Sequence, residues 1–383
     1  MASAVGGFDT LVVGAGFAGA VAAERLADQC GHQVCVIDRR DHVGGLAHDH
    51  VDDHGVLVHR FGPHIFHTQS AKVLAYLSRF TEWRPYEHRV LADVDGQLVP
   101  IPINRDTLRL LYGVALADDE ETRAFLAERA EPRPRLETSE DVVVARVGRD
   151  LYEKLVRGYT RKQWQLDPSE LDASVCARMP VRLDRDDRYF TDAYQFMPAD
   201  GYTALFERML AHPRIELLLS TDFEDVRDEL DYAHVVYTGP IDGYYDRRFG
   251  PLPYRSLRFE LANRPTPDGG LVLPTASVNY PSEDVPHTRV TEYRHLTGQS
   301  HGSSTLAYEF PAGDGEPYYP VPTPESHRLC ARYTRLAAAD PGVTFIGRLA
   351  RYQYMNMDQV TAQALATVER LRRTGTVPNL AVA

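Results

Sequence analysis

The sequence contains little cysteine, no long apolar run and no excess of positive charge. Its 383 residues include four cysteines, and no two of them form a C-x-x-C pair, which excludes a zinc ribbon or a thiol redox motif. So few thiols indicate a reducing, cytoplasmic setting. No stretch of about 18 uncharged apolar residues occurs, so we expect no membrane span. The net charge of −12 argues against a general nucleic-acid or anionic-membrane partner.

The overall composition is that of a globular protein with several domains. Hydrophobic residues make up 43% and charged residues 25% of the chain, and its length is too great for one ordinary core. The apolar start could be mistaken for a signal sequence. It has no basic segment, however, and a glycine-rich turn interrupts it, so we do not expect a leader.

A strand, a glycine-rich turn, a helix and a second strand follow one another near the start. The apolar run FDTLVV is followed by GAGFAG, in which Gly14, Gly16 and Gly19 form a G-x-G-x-x-G motif. Such glycines permit a tight turn and let the backbone approach a pyrophosphate at a helix N-terminus. Asp38 ends the next strand, at the spacing that suits the ribose hydroxyls of an adenosine. This unit predicts a dinucleotide site.

A second glycine pair favours FAD over NAD as the dinucleotide. Gly44 and Gly45 come directly after the second strand, in DRRDHVGGLA, and would let the chain pass close to a bound cofactor. The order of strand, acid, basic residue and glycine pair is more typical of FAD enzymes than of NAD dehydrogenases. The residues that we expect at the cofactor from this region are Gly14, Gly16, Phe17, Gly19, Asp38, Arg39, Gly45 and Leu46.

Patterns along the rest of the chain predict an α/β fold. The Arg-, Glu-, Leu- and Ala-rich middle has helical spacing, the stretch 254–308 alternates as in an antiparallel sheet, and the tail returns to helix, strand and helix. We therefore predict a Rossmann-like FAD-binding domain with a helical insert and an antiparallel β-sheet domain. The expected boundaries are 1–85, 197–245 and 326–383 for the FAD-binding domain, 105–185 for a helical domain with a mobile substrate lid, and 86–104, 186–196 and 246–325 for the sheet domain.

Several uncommon motifs occur in one order along nearly the whole chain. They are GGLAHD, RFGPHIFHT, PIPIN, GYTRKQW, VPHTRVTEY, PYYPVP and FIGRLARYQYMNMD. In these the sequence resembles a bacterial UDP-galactopyranose mutase.

The resemblance implies a flavoenzyme that interconverts the pyranose and furanose forms of a nucleotide-diphosphate hexose. In the family the flavin must be reduced, which requires an external reductant such as NAD(P)H. Flavin N5 attacks the anomeric carbon, the nucleotide diphosphate leaves, and a flavin-iminium intermediate lets the sugar close as the smaller ring. UDP-galactopyranose is the substrate expected by default, and a homodimer or higher homo-oligomer is the expected assembly.

The same resemblance assigns roles to individual residues. His64 lies against the flavin, and Arg178 and Arg289 hold the diphosphate, which suits their permanent charge. Trp164 and the residues toward Arg178 match the lid, which would exclude water. The other residues implied at the substrate are Tyr159, Tyr189, Asn104, Asn279, Tyr319 and Tyr354, and those implied at the flavin are Arg348 and Met357.

The sequence departs from the family pattern mainly in the pocket. Leu155 and Val156 replace two phenylalanines of the base pocket, His287 replaces a tyrosine, and Asn356 replaces an aspartate near the sugar and diphosphate. Either the pocket repacks around the same uridine, or it admits a purine such as that of a GDP-hexose. Loss of the carboxylate at position 356 is also consistent with a 6-deoxyhexose.

The histidine-rich stretch HDHVDDHGVLVHRFGPHIFHT does not have the spacing of a metal site, and we predict no metal. We interpret His48, His50 and His54 as parts of a solvated polar hairpin or loop, His64 as the flavin-facing histidine, and His67 as undecided. Two other classes of protein remain as alternatives: an FAD oxidoreductase of the amine-oxidase type, and an FAD-containing protein without catalytic activity.

Overall fold

The computed structural model describes residues 7–177 and 179–374. Its strands are β1 (Phe8–Val13), β2 (Val34–Asp38), β3 (Asp49–Val51), β4 (Leu57–His59), β5 (Phe66–Thr68), β6 (Trp83–Pro85), β7 (Val90–Val94), β8 (Gln97–Ile101), β9 (Tyr194–Pro198), β10 (Ile215–Leu219), β11 (Tyr232–Tyr237), β12 (Tyr254–Pro265), β13 (Ser277–Asn279), β14 (Arg289–Glu292), β15 (Ser303–Ala312), β16 (Tyr319–Pro320) and β17 (Val343–Phe345).

The helices alternate with strands at both ends of the chain and follow one another in its middle. They are α1 (Phe17–Cys30), α2 (Ala71–Leu77), α3 (Arg105–Tyr112), α4 (Asp119–Arg129), α5 (Ser139–Val147), α6 (Arg149–Tyr152), α7 (Gly158–Trp164), α8 (Ser174–Ala177), α9 (Gly201–Leu210), α10 (Phe223–Val226), α11 (Ile241–Tyr244), α12 (Tyr293–Thr297), α13 (Pro324–Ala339) and α14 (Met357–Thr374).

A parallel five-stranded sheet has the order β10–β2–β1–β11–β17. Every residue of β2 is buried, as expected for a strand covered by helices on both faces. Helices α1 and α14 pack together, and α1 also packs on α9. The last strand, β17, comes from the tail and pairs with β11, so the C-terminal segment completes the sheet that the N-terminal segment begins. The predicted α/β class is confirmed.

The close approach of α1 to β1 depends on a glycine. A Cβ atom at Gly19 would collide with the carbonyl oxygen of Gly14 at the end of β1. Only a residue without a side chain lets the helix start directly above the turn that follows the strand. This packing holds the N-terminus of α1 at the carboxyl edge of the parallel sheet, where ligands of such sheets bind.

The second large sheet has seven strands in the order β16–β12–β15–β14–β13–β7–β8. All its pairings are antiparallel except that of β13 with β7. The long pair β12 and β15 accounts for the alternating pattern after residue 254. The pattern is misleading after Glu292, because TEYRHL turns into the short helix α12.

A helical insert lies between β8 and β9 and contains α3 to α8. Capping boxes begin α3 at Asn104 and α5 at Thr138, where side chain and backbone satisfy each other's hydrogen bonds. Between α6 and α7 the backbone forms a π-helix, Glu153–Arg157, so that α6, the π-helix and α7 make one continuous helical segment. The division into three domains at the predicted residue boundaries remains a proposal.

The histidine-rich stretch forms a hairpin of β3 and β4, but one of its histidines is not solvated as expected. His48 is half-buried, and its ring stacks on that of His42 with centroids 3.8 Å apart. Its Nδ1 lies 3.0 Å from the hydroxyl of Thr203. Burial is the main reason that the pKa of His48 falls to about 4. His50 and His54 are exposed, as predicted.

None of the helices that the structure describes is both long and apolar enough to span a bilayer.

Candidate active site

A cavity of about 890 Å³ is lined from both large sheets. At one end it is bordered by residues at the carboxyl ends of parallel strands, such as Val13, Asp38 and Tyr237. At the other it is bordered by Asn279 and Arg289, on strands of the seven-stranded sheet. A long ligand with chemically different ends would fit such a cavity better than a small one.

The carboxyl edge of the parallel sheet has the geometry of a dinucleotide site. Gly14 has φ +107°, a conformation that favours glycine, and lies in the tight turn after β1. A Cβ at Gly45 would lie 3.1 Å from Cα of Gly16, so the two glycine turns meet backbone to backbone. The carboxylate of Asp38 accepts hydrogen bonds from the amides of Ala15, at 2.9 Å, and Arg40, at 3.0 Å. These residues fit a pyrophosphate and its ribose.

Basic and acidic side chains beside this edge pair with one another. Arg39 lines the cavity and forms two bonds of 2.8 Å with the carboxylate of Glu316. Arg40 reaches the same carboxylate at 2.6 Å. Further lining residues here, notably Asp222, Glu224 and Arg247, were not predicted, because they lie in the segments that follow β10 and β11 and these segments carry no motif.

His64 lines the cavity and lies on the loop before β5. Its Nδ1 is 2.9 Å from the carbonyl oxygen of Gly62, and its amide donates to Nδ1 of His59 at 3.1 Å. Burial, together with the neighbouring His59, lowers the pKa of His64 to about 3. The imidazole is therefore neutral at neutral pH. Since a carbonyl only accepts, the ring proton is on Nδ1, and Nε2 remains an acceptor.

Arg289 is the centre of a polar cluster at the other end of the cavity. It donates to the hydroxyl of Tyr159 at 3.0 Å and to the amide oxygen of Asn279 at 3.1 Å. Its Nη1 lies 3.9 Å from the buried carboxylate of Glu309. Burial alone would lower the pKa of Arg289, but Tyr159 and Glu309 raise it above the usual value. Burial raises the pKa of Tyr159 to about 12, so its hydroxyl stays protonated.

An aromatic group completes this end. The rings of Tyr319 and Tyr354 are nearly parallel, with centroids 6.1 Å apart, and the guanidinium of Arg348 lies about equally far from both. The indole of Trp164, at the end of α7, is 6.3 Å from the ring of Tyr319. Arg348 also donates to the carbonyl of Tyr318 at 2.6 Å. The arrangement presents hydroxyls and a permanent cation to the cavity.

A stacked group that the sequence did not predict lines the cavity near Tyr189. The ring of His67 stacks on Phe190 with centroids 3.6 Å apart, and its Nδ1 lies 2.9 Å from a carboxylate oxygen of Asp192. His88 also lines the cavity and is buried. Glu309 was also not predicted as a site residue. Its sequence did carry one signal, because an acid inside the apolar strand sequence TLAYEF falls on a buried face of that strand.

The structure brings most of the sequence-predicted residues to the cavity wall. Those that line it are Gly14, Gly16, Phe17, Asp38, Arg39, Gly45, Leu46, His64, Tyr189, Asn279, Arg289, Tyr319, Arg348, Tyr354, Asn356 and Met357. Tyr159 and Trp164 are held against lining residues by the contacts described above. Gly19 serves the packing of α1. Arg178 lies outside the described residues.

Four predicted substrate residues are placed elsewhere. Asn104 is fully buried, and its side chain accepts from the amide of Thr107 and caps α3, so it is used in the insert rather than in the cavity. Leu155 and Val156 lie on the π-helix and are buried in the hydrophobic core of the insert. His287 is enclosed by aromatic rings, with Tyr280 at 4.6 Å and Tyr308 at 5.3 Å between centroids.

The described part of the chain contains no group of three His, Cys, Asp or Glu side chains placed to hold a metal ion.

Sequence comparison agrees with this site. The UDP-galactopyranose mutase family matches residues 154–354, and a family of NAD(P)-binding Rossmann-like domains matches residues 12–80. The chain is 40% identical to a probable UDP-galactopyranose mutase of Klebsiella pneumoniae, over 94% of this chain and 93% of that protein. It is 37% identical to a dTDP-fucopyranose mutase of Escherichia coli, over 93% and 96% of the two chains.

Solved structures agree with the fold. A reduced UDP-galactopyranose mutase superimposes with a TM-score of 0.76 at 16% identity, covering 96% of this chain and 94% of the other. A putative protoporphyrinogen oxidase from an Exiguobacterium species gives 0.69 at 16% identity, covering 95% of this chain and 98% of the other.

Proposed function

The chain belongs to the UDP-galactopyranose mutase family, and from this premise we propose that it is an isomerase that uses bound, reduced FAD to interconvert the pyranose and furanose forms of a nucleotide-diphosphate hexose. The observation that carries the proposal is the continuity of one cavity from the Gly14 and Gly16 turn to the Arg289 cluster. A flavin bound from the first end would meet a nucleotide sugar bound at the second.

The residues at the carboxyl edge of the parallel sheet fit FAD. The turn at Gly16 and Gly45 would hold the pyrophosphate, Asp38 the ribose, and Arg348 and Met357 the isoalloxazine. When bound and reduced, the cofactor supplies the nucleophile for the anomeric carbon without net oxidation of the sugar. An external reductant such as NAD(P)H would keep it reduced.

The chain itself holds the diphosphate that leaves the sugar and returns to it. Arg289 offers a permanent charge, which the neighbouring carboxylate of Glu309 favours although burial opposes it. The hydroxyls of Tyr189, Tyr319 and Tyr354 are the further donors that we assign to the phosphates. Charge-assisted bonds of this kind stabilise a leaving diphosphate more than a neutral site would. Arg178 is proposed as the second arginine.

His64 acts in this scheme as a neutral acceptor. With its proton on Nδ1 and directed at the Gly62 carbonyl, its Nε2 can accept a hydrogen bond from a group in the cavity. A neutral imidazole adds no positive charge beside the flavin. Trp164 and the chain toward Arg178 are proposed as the lid that excludes water during the reaction.

Two related sugar nucleotides are the leading substrates. UDP-galactopyranose is the first, and a dTDP-6-deoxyhexose is the second, because the relatives include a mutase for each class. Asn356 lines the cavity at a position where the family has an aspartate. Its neutral amide therefore lacks the negative charge that would repel a diphosphate. A GDP-hexose remains a third possibility. However, the prediction of a larger base pocket depended on Leu155 and Val156, and both are buried in the core of the insert. This placement weakens the argument for a purine base.

The test is turnover by dithionite-reduced protein. Protein loaded with FAD is incubated separately with UDP-galactopyranose, dTDP-fucopyranose and a GDP-hexose, and products are separated by chromatography. A furanose product from one of the three, formed without oxygen consumption, supports the proposal and identifies the nucleotide. If no furanose forms from any of them and a substrate is instead oxidised, the chain is an oxidoreductase and the proposal is wrong.

A further inference from the structure

Helix α7 and the loop that joins β13 to β14 are held together by a dense set of polar contacts. We call residues 280–288 the docking loop. A Cβ at Gly158 would collide with the carbonyl of Pro281, so the helix backbone sits directly on the loop. On the exposed side, Arg161 lies 3.3 Å from the carboxylate of Glu283. Lys162 follows Arg161 on the same helix.

The ammonium of Lys162 is surrounded by carbonyl oxygens of the docking loop. Its nitrogen lies 2.5 Å from the carbonyl oxygen of Tyr280, 2.7 Å from that of Ser282, 2.9 Å from that of Val285 and 3.0 Å from that of His287, so its three protons are shared among four acceptors. These acceptors span the whole loop, so a single side chain bonds to both of its ends. Burial lowers the pKa of Lys162 to about 8, and the group is therefore charged at neutral pH.

The geometry requires lysine rather than arginine. An ammonium is compact and directs three protons into a cone, which suits several carbonyls arranged around one point. A guanidinium is planar and would reach only acceptors near its own plane. Lys162 is one of three lysines in a chain that otherwise uses arginine for its positive charge.

The docking loop begins and ends at residues of the proposed substrate site. Asn279 precedes the loop and Arg289 follows it. Tyr159 lies on α7, three positions before Lys162, and accepts the 3.0 Å bond from Arg289. These three side chains come from three elements, β13, β14 and α7, and the bonds of Lys162 join α7 to the loop between the two strands.

We propose that Lys162 is a positioning residue, which fixes the docking loop to α7 and so sets the distance of Tyr159 from Arg289 and Asn279 in the nucleotide-binding end of the cavity. This inference rests on the proposed function for the identity of the ligand. It predicts an effect on nucleotide binding rather than on the cofactor, because Lys162 contacts neither the glycine turns nor Asp38.

The experiment compares Lys162→Met with Lys154→Met in FAD-loaded protein. Methionine matches the four-atom apolar stem of lysine but lacks the ammonium, so it leaves the loop carbonyls without a donor. Lys154 is on the neighbouring π-helix and pairs with Asp150 at the surface, so its variant controls for loss of one positive charge. Dissociation constants of UDP, dTDP and GDP are measured by calorimetry, and kcat and KM with the substrate identified by turnover.

Lys162→Met is expected to raise the nucleotide dissociation constant and KM by about tenfold or more, with kcat at saturation changed less than about threefold. FAD content should equal that of the wild type, and Lys154→Met should bind nucleotide normally. Lys162→Arg should not restore affinity, because of its planar shape. Unchanged affinity in Lys162→Met, or full affinity in Lys162→Arg, would overturn the proposal.

A second measurement needs no ligand. In a Trp83→Phe background, Trp164 is the single remaining tryptophan. Its emission maximum should move to longer wavelength in Lys162→Met as α7 separates from the docking loop, and not in Lys154→Met. An unchanged spectrum contradicts the inference. If wild-type protein binds none of UDP, dTDP and GDP, the proposed function fails, while the Trp164 spectrum still decides the role of Lys162. If Lys162→Met misfolds and loses FAD, the Trp164 spectrum of Lys162→Arg is measured in its place and decides the role of Lys162.

Discussion

At the scale of single residues, the candidate site surrounds the charge of one arginine with polar neighbours. Arg289 is half-buried, and it has three polar neighbours, Tyr159, Asn279 and Glu309, that compensate for its partial burial. Its fork of donors matches a diphosphate, which a point charge does not.

Replacing Arg289 with lysine should weaken nucleotide binding although the charge is kept. We expect the dissociation constant for UDP or dTDP to rise about tenfold, because bidentate bonding is lost and Tyr159 loses its donor. Calorimetric titration measures this change. Arg258→Lys, at an exposed position of β12 in the same sheet and over Phe310, is the matched control and should bind as the wild type does. Equal affinity in both variants would remove Arg289 from the binding site.

Gly45 gives a residue-scale test of the cofactor end. Gly45→Ala places a Cβ 3.1 Å from Cα of Gly16, where neither backbone can move easily. We expect purified protein to contain less than half the FAD of the wild type, measured from flavin absorbance against protein. Gly96→Ala controls for backbone strain, since it also has positive φ but no atom within 4 Å of its Cβ. Equal FAD loss in both would mean that strain alone is responsible.

At the scale of elements, sequence motifs located strands and turns better than they located side-chain contacts. The G-x-G-x-x-G turn, β2 and the closing strand β17 could be predicted because hydrophobic periodicity and glycine placement are local. The role of Asn104 could not be predicted. An asparagine before a helix can cap that helix or face a ligand, and the surrounding sequence is the same in both cases. Leu155 and Val156 could not be placed either, because a π-helix changes which positions face the core.

The capping role of Asn104 can be tested directly. Asn104→Ala should lower the free energy of unfolding by about 1 kcal/mol, because one capping box is lost, and should leave nucleotide affinity unchanged. Urea denaturation and calorimetry measure the two quantities. Thr138→Ala, which removes the equivalent box of α5, should behave alike. A loss of nucleotide affinity confined to Asn104→Ala would return that residue to the substrate site.

At the scale of the whole molecule, buried neutral histidines make stability depend on pH. Burial lowers the pKa of His59, His64 and His88 to about 3. Below the ordinary histidine pKa of about 6.5, the unfolded chain therefore binds more protons than the folded one. The free energy of unfolding must then fall as pH falls, and it continues to fall toward the folded-state values.

We expect each of these histidines to cost about 1 kcal/mol of stability between pH 7.5 and 5.5. Denaturant unfolding of FAD-loaded protein at several pH values measures the slope. His88→Gln should reduce the loss by about 1 kcal/mol, whereas His50→Gln, on the exposed part of β3, should not change it. A stability that stays constant over this range would show that the three imidazoles can be protonated in the folded state.

The π-helix Glu153–Arg157 also fixes the rotational phase of everything that follows it. An α-helix turns about 100° per residue, so removing one residue from this segment would rotate α7 by that angle relative to the anchored Leu151 and Tyr152. Tyr159 would then point away from Arg289, and Lys162 away from its carbonyls. A deletion within 132–136, an exposed loop, should be tolerated, whereas a one-residue deletion within 153–157 should abolish nucleotide binding while FAD is retained. Chain length in this helix is thus itself a determinant of the site.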